Sequence, residues 1–148
     1  MNAVLSTDQK GAIAETAITH QAVRRGIGVL RPVSEGERYD LVFDLKPGLV
    51  RVQCKWASLD GDVISVRCCS SRRTASGITK RHYTPEEVDA FAAYCPELDE
   101  CFFLPLERFS NLRAILLRVN PCRNNQRRGV NWIADFRFDA TLPIHLGP

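Results

Sequence analysis

Two short segments, RYDLVFD at 38–44 and VRVQCKWA at 50–57, carry the residue types that could do chemistry in this chain. Side chains alternate faces along a strand, so Arg51, Gln53 and Lys55 point one way and Val50, Val52, Cys54 and Trp56 the other. The second set is apolar and is expected on the core, which leaves an amide and an ammonium on the polar side. Asp40 precedes Gln53 by 13 positions, the length of a hairpin with a modest turn. Glu15, set among alanines and isoleucines, reaches the same spot if its own segment is a helix packed on that hairpin. Two carboxylates, an amide and an ammonium at a sheet edge suit phosphodiester hydrolysis. Carboxylate oxygens hold magnesium, which keeps several waters and readily takes phosphate oxygens as ligands. A metal so placed activates water and neutralises charge at phosphorus, and a nearby Lys supports the same developing charge. The same spacing also occurs in surface hairpins whose polar residues are merely solvated.

The elements that must position these residues follow from local signals. Ser6 or Thr7 caps a helix predicted to run to about Arg25, with Gly26 as its terminator. Ile13, Ala14, Ala17, Ile18 and Ala22 mark its buried face. Strands are predicted near 27–32, at Tyr39–Asp44, at Leu49–Ala57 after the Lys46–Pro47–Gly48 turn, and at Val63–Cys69 after Asp60–Gly61. Thr84, Pro85 and Glu87 spell a capping box and predict a second helix ending near Cys95. Cys101–Leu104 reads as a short strand. Segment 112–119 fits either a strand or a short helix, and the tail is strand-like or irregular. The order implies a mixed α/β fold around one central sheet.

The chain has 148 residues and a net charge of +3, with 45% hydrophobic and 25% charged residues, so it reads as one globular domain rather than a disordered or fibrous chain. No apolar run suits a membrane span and no secretory signal opens the chain, so it is expected to be cytoplasmic with no membrane partner. Six cysteines lack any CxxC pair and the three histidines are scattered, so the thiols are expected to be free and mostly core. The small net charge hides segregation: net zero over 1–50, +5 over 51–84, −6 over 85–112 and +4 over 113–148. Arg67, Arg72, Arg73, Lys80 and Arg81 form one basic stretch, in a loop or hairpin arm; Arg113, Arg118, Arg123, Arg127 and Arg128 form another. Two such stretches suit a polyanion, although charge alone also fits two solvated faces. The acidic block 85–100 is expected on the outer face of the second helix.

Taken together, KGAIAE at 10–15, RYDLVFD, RVQCK at 51–55 and YTPEEVDAFAAYCPE at 83–97 resemble the PD-(D/E)XK nuclease superfamily. More narrowly, they resemble the small bacterial endonuclease family that includes group I intron homing enzymes. The resemblance spans about residues 7–105, with 112–148 as a basic C-terminal extension of a single domain, 1–148. It implies an αβββαβ restriction-endonuclease-like core, with a central mixed sheet flanked by helices. It also implies roles: Glu15 as the helix-borne acid, Asp40 as the metal-binding aspartate, Gln53 in place of the second acid, and Lys55 as the motif lysine. With Gln53 bringing no charge, metal binding leans on Asp40, Glu15 and the backbone carbonyl of Cys54. Tyr39 stands where the superfamily name leads one to expect Pro, and the intron-encoded relatives resemble this chain in carrying Gln at the second acid.

The expected activity is a magnesium-dependent endonuclease on double-stranded DNA, sequence-specific and of homing type, with manganese able to substitute. One such site cuts one strand, so double-strand cleavage calls for a homo-oligomer, a dimer or higher. The two rivals are a structure-selective nuclease resembling Holliday-junction resolvases, and a DNA-binding module that keeps the fold without cutting.

Overall fold

The computed structural model describes residues 4–109, 111–121, 124 and 128–142. Helix α1 (Thr7–Arg24) starts where its cap says it should: the Ser6 hydroxyl accepts from the Gln9 amide at 3.1 Å, and the Ser6 amide donates to the Gln9 side chain at 2.8 Å. Gly26, at φ 75°, supplies the left-handed residue that ends it. Its buried stripe is Ala14, Ile18 and Ala22, with Ile18 set between two alanines whose small side chains let the helix pack on the sheet below.

Among the described residues nine strands follow: β1 (Gly28–Leu30), β2 (Leu41–Asp44), β3 (Leu49–Asp60), β4 (Val63–Arg67), β5 (Cys69–Thr74), β6 (Gly77–His82), β7 (Ala90–Cys95), β8 (Glu100–Pro105) and β9 (Ala114–Arg118). A short helix α2 (Phe138–Thr141) lies near the end of the described chain. Seven strands make one mixed sheet in the order β1-β2-β3-β4-β9, with β7 paired to β3 in parallel and β8 to β7. The β5–β6 hairpin is a separate two-stranded sheet. The sheet is covered on both faces. Ala14, Ile18 and Ala22 pack with Leu41, Phe43, Val52, Ala92 and Phe103 on one face. Ala57, Ile64, Val66, Phe91, Phe102, Leu104, Ile115 and Leu117 pack on the other. This is the expected α/β class. Segment 112–119 resolves to a strand. No described helix is long and apolar enough to cross a membrane.

One expected element is different. The helix predicted from Thr84 to Cys95 is a single turn followed by strand β7. Half of the capping box forms: the Thr84 amide donates to the Glu87 carboxylate, but the Thr84 hydroxyl also donates to that carboxylate, while the Glu87 and Val88 amides donate to the Thr84 carbonyl at 2.9 and 3.0 Å. The turn then stops because Asp89 is captured by β3. Its amide donates to the Arg51 carbonyl at 2.9 Å, and its carboxylate accepts from the Arg51 amide and guanidinium. From there AFAAYC pairs on both edges and buries both faces, the continuous apolar run of a central parallel strand. The acidic block is therefore no outer helical face. Glu87 pairs with Arg38 and Arg81, Asp89 with Arg51, and Glu100 with Arg137.

Candidate active site

The site begins as a gap in pairing. β2 covers residues 49–52 of β3 and β4 covers 57–60, so residues 53–56 pair only with β7. Asp40 sits immediately beyond the start of β2, its amide donating to the Val52 carbonyl at 2.9 Å. Its side chain fills the place a next β2 residue would take: Oδ2 accepts from the Cys54 amide at 2.9 Å. A strand residue turns its amide and carbonyl to the same edge, so the Cys54 carbonyl is directed there as well.

Other groups approach this edge from opposite faces of the sheet. Glu15 comes from α1, on the face of Val52 and Cys54. Lys55 lies on the reverse face with Gln53 and Ala57. The apolar–polar split expected for β3 holds only in part, because the Lys55 face also leads into core. Lys55 Nζ donates to the Tyr83 hydroxyl at 3.3 Å and lies 4.7 Å from the Tyr83 ring centroid, with the Arg38 guanidinium at 4.1 Å from the same ring. Tyr83 is buried and packs edge-on against Phe91.

Burial pushes the Asp40 carboxyl above its ordinary pKa; the Cys54 amide opposes this, the Glu15 charge adds to it, and Lys55 opposes it. Asp40 thus feels both partners, although they arrive from different faces. Glu15 is also held by Arg31, whose guanidinium is 3.1 Å from it. The Cys54 thiol, pushed up by burial and by both acids, stays protonated and supplies no thiolate. Gln53 sits one residue before Cys54, and among the described residues no hydrogen bond ties its amide to Asp40 or Lys55.

A partly buried carboxylate under the charge of a second acid is an electrostatic environment that a cation relieves. Among the described residues, no group of three or more His, Cys, Asp and Glu side chains forms a metal cage. Asp40, Glu15 and the Cys54 carbonyl could offer a cation two carboxylates and a carbonyl, oxygen donors of the kind that suit a hard ion of the magnesium type. Arg31 and Tyr83 were not singled out by sequence. Each sits in a loop segment next to a strand end, where no periodicity points to it.

The basic residues take varied places. Arg67 ends β4, exposed; Arg72 and Arg73 lie in β5; Lys80 and Arg81 lie in exposed β6, with Arg81 paired to Glu87 at 2.9 Å. Arg113 and Arg128 are exposed, whereas Arg118 is partly covered and donates to the Asn120 carbonyl. Arg123 and Arg127 lie outside the described residues. The hairpin returns through His82 directly into Tyr83, so the basic arm is rooted beside Lys55.

The family model for PD-(D/E)XK endonucleases matches residues 5–139. The solved structure of a bacterial homing endonuclease, I-Ssp6803I, superposes with a TM-score of 0.75 at 30% sequence identity, covering 91% of this chain and 90% of that one. No curated protein matches the chain.

Proposed function

Because the chain belongs to the PD-(D/E)XK endonucleases, and is therefore a nuclease, we propose that it is a divalent-metal-dependent endonuclease cutting double-stranded DNA at a specific sequence, of homing type. Magnesium is the proposed ion, with manganese as a substitute. The observation that carries this reading is the pairing gap in β3, where Asp40 is held by the Cys54 amide and is subject to both Glu15 and Lys55. The homing type is supported by the likeness to a bacterial homing endonuclease.

In this reading Asp40, Glu15 and the Cys54 carbonyl would hold the ion. Bound there, it supplies charge neutralisation at phosphorus and activation of water. Asp40 is fixed for this by its amide contact, so little reorganisation is needed on binding. Lys55, steadied by the Tyr83 hydroxyl, donates toward the attacking water and the phosphoryl oxygens as negative charge develops. Gln53, without charge, orients water through its amide. The β5–β6 arm with Arg67, and the basic segment 113–128, carry the duplex through phosphate contacts. The whole chain acts as one domain, and two or more copies bring two such edges to opposite strands.

The rival readings differ in substrate or in turnover. Purified protein should cut plasmid DNA carrying candidate target sequence with magnesium or manganese and not with a chelator, giving ends at one sequence. Preferred cutting of four-way junctions over the linear target would select the resolvase-like reading. Salt-sensitive binding without cutting in any metal, on DNA shown to contain the target, would select the binding module.

A further inference from the structure

Beside the catalytic edge lies an open cleft of about 410 Å³, lined by Lys10, Trp56, Ser58, Ser65 and Arg67. Its makeup follows from the register. Trp56 and Ser58 continue the Cys54 face along β3, and Ser58 pairs directly with Ser65 of β4, so two hydroxyls stand side by side. Arg67 is two residues further along the same face of β4. Lys10 comes from the first turns of α1, with Nζ 5.8 Å from the Trp56 ring centroid. The lining holds two cations and no carboxylate, and neither Lys10 nor Arg67 enters an ion pair among the described residues. Two cations facing one space repel each other until an anion enters, and the half-buried indole wall lowers the local dielectric that an anion would feel. Paired hydroxyls add neutral donors suited to phosphate oxygens.

The spacing to the catalytic edge is short by two independent routes. Trp56 is two strand residues from Cys54, roughly 7 Å. Lys10 is five helix residues from Glu15, roughly 7.5 Å along the axis. That is the scale of one nucleotide of backbone.

We propose that this cleft binds the phosphate next to the scissile one on the cut strand, so that the substrate is gripped at two consecutive phosphates. The inference rests on reading Asp40 and Glu15 as the catalytic edge. Holding the neighbouring phosphate fixes the scissile group against Asp40 and Lys55, which is the positioning that phosphoryl chemistry needs.

Thymidine 3′,5′-bisphosphate carries two such phosphates and thymidine 5′-monophosphate one. Both would be titrated into the full chain with calcium present, following affinity and the Trp56 indole N–H resonance, assigned by its loss in Trp56→Phe. The bisphosphate should bind about 10-fold more tightly, as one charge-assisted contact set allows, and should move the Trp56 signal. Lys10→Ala with Arg67→Ala should remove that advantage, bringing bisphosphate affinity down to that of the monophosphate. Ser58→Ala with Ser65→Ala should remove part of it. An advantage that survives Lys10→Ala with Arg67→Ala, or a Trp56 signal that never moves, overturns the proposal. Failure of the catalytic-edge reading looks different: monophosphate affinity would then be indifferent to Asp40→Asn.

Discussion

Asp40 is more easily protonated in the fold than in the unfolded chain, because burial and the nearby Glu15 charge outweigh the Cys54 amide and Lys55. The folded state therefore binds more protons than the unfolded state above the ordinary carboxylate pKa, and stability falls as pH rises through that window. Without divalent ions, Asp40→Asn should raise Tm at neutral pH by a few degrees, since the amide keeps an acceptor for the Cys54 N–H and loses the partly buried charge. The gain should shrink as pH drops below the elevated Asp40 value, and saturating magnesium should stabilise only the parent. Calorimetric scans across pH, with and without the ion, check this; a destabilised Asn variant at neutral pH contradicts it. At this scale the sequence was partly legible. Asp40, Gln53 and Lys55 stand at hairpin spacing, and Glu15 stands out as an acid on an apolar stripe. Arg31 and Tyr83 were not visible, because each meets its partner only after distant segments pack.

Among elements, segment 84–95 shows why local signals can mislead. Thr84–Glu87 does form its turn, yet capping chemistry specifies how a helix starts and says little about how far it runs. Alanine-rich AFAAYC favours a helix in isolation, and small side chains also fit a strand buried on both faces. Pairing to β3 and β8 decides for the strand, an outcome of tertiary context. Conversely, α1, β2 and β3 were legible because cap, turn and periodicity agreed. The switch to strand begins at Asp89, whose carboxyl is held below its ordinary pKa chiefly by its hydrogen bond from Arg51. A lowered acid stabilises the fold above its unfolded-state pKa and loses that contribution as pH falls through the folded-state value. Asp89→Asn should thus lower stability at neutral pH and close the gap to the parent only at strongly acid pH. The effect should be modest and weakened by salt, because the pair is partly exposed. Faster amide exchange at Asp89 and Ala90 in the variant would accompany it, and unchanged exchange there would separate Arg51 from the start of β7.

For the whole molecule, segregation of charge along the sequence becomes a basic arm rooted next to Lys55, with acids that neutralise its base internally. Arg38 and Arg81 share Glu87 at that base. Phosphate contacts make binding depend on salt with a slope of about 0.9 per phosphate neutralised. Arg72→Ala with Arg73→Ala should weaken duplex binding and flatten that slope by about 1–2, read from titrations at several salt concentrations; an unchanged slope removes the arm from the interface. In the proposed function the phosphodiester breaks at the edge between β2 and β4. The most direct measurement is single-turnover cleavage of one target duplex by the parent and by Lys55→Ala, at saturating protein with magnesium. The variant should cut at least about 100-fold more slowly, as loss of a donor at developing charge implies, while binding the duplex within a few-fold. Equal cleavage rates at equal occupancy would place the chemistry elsewhere in the molecule.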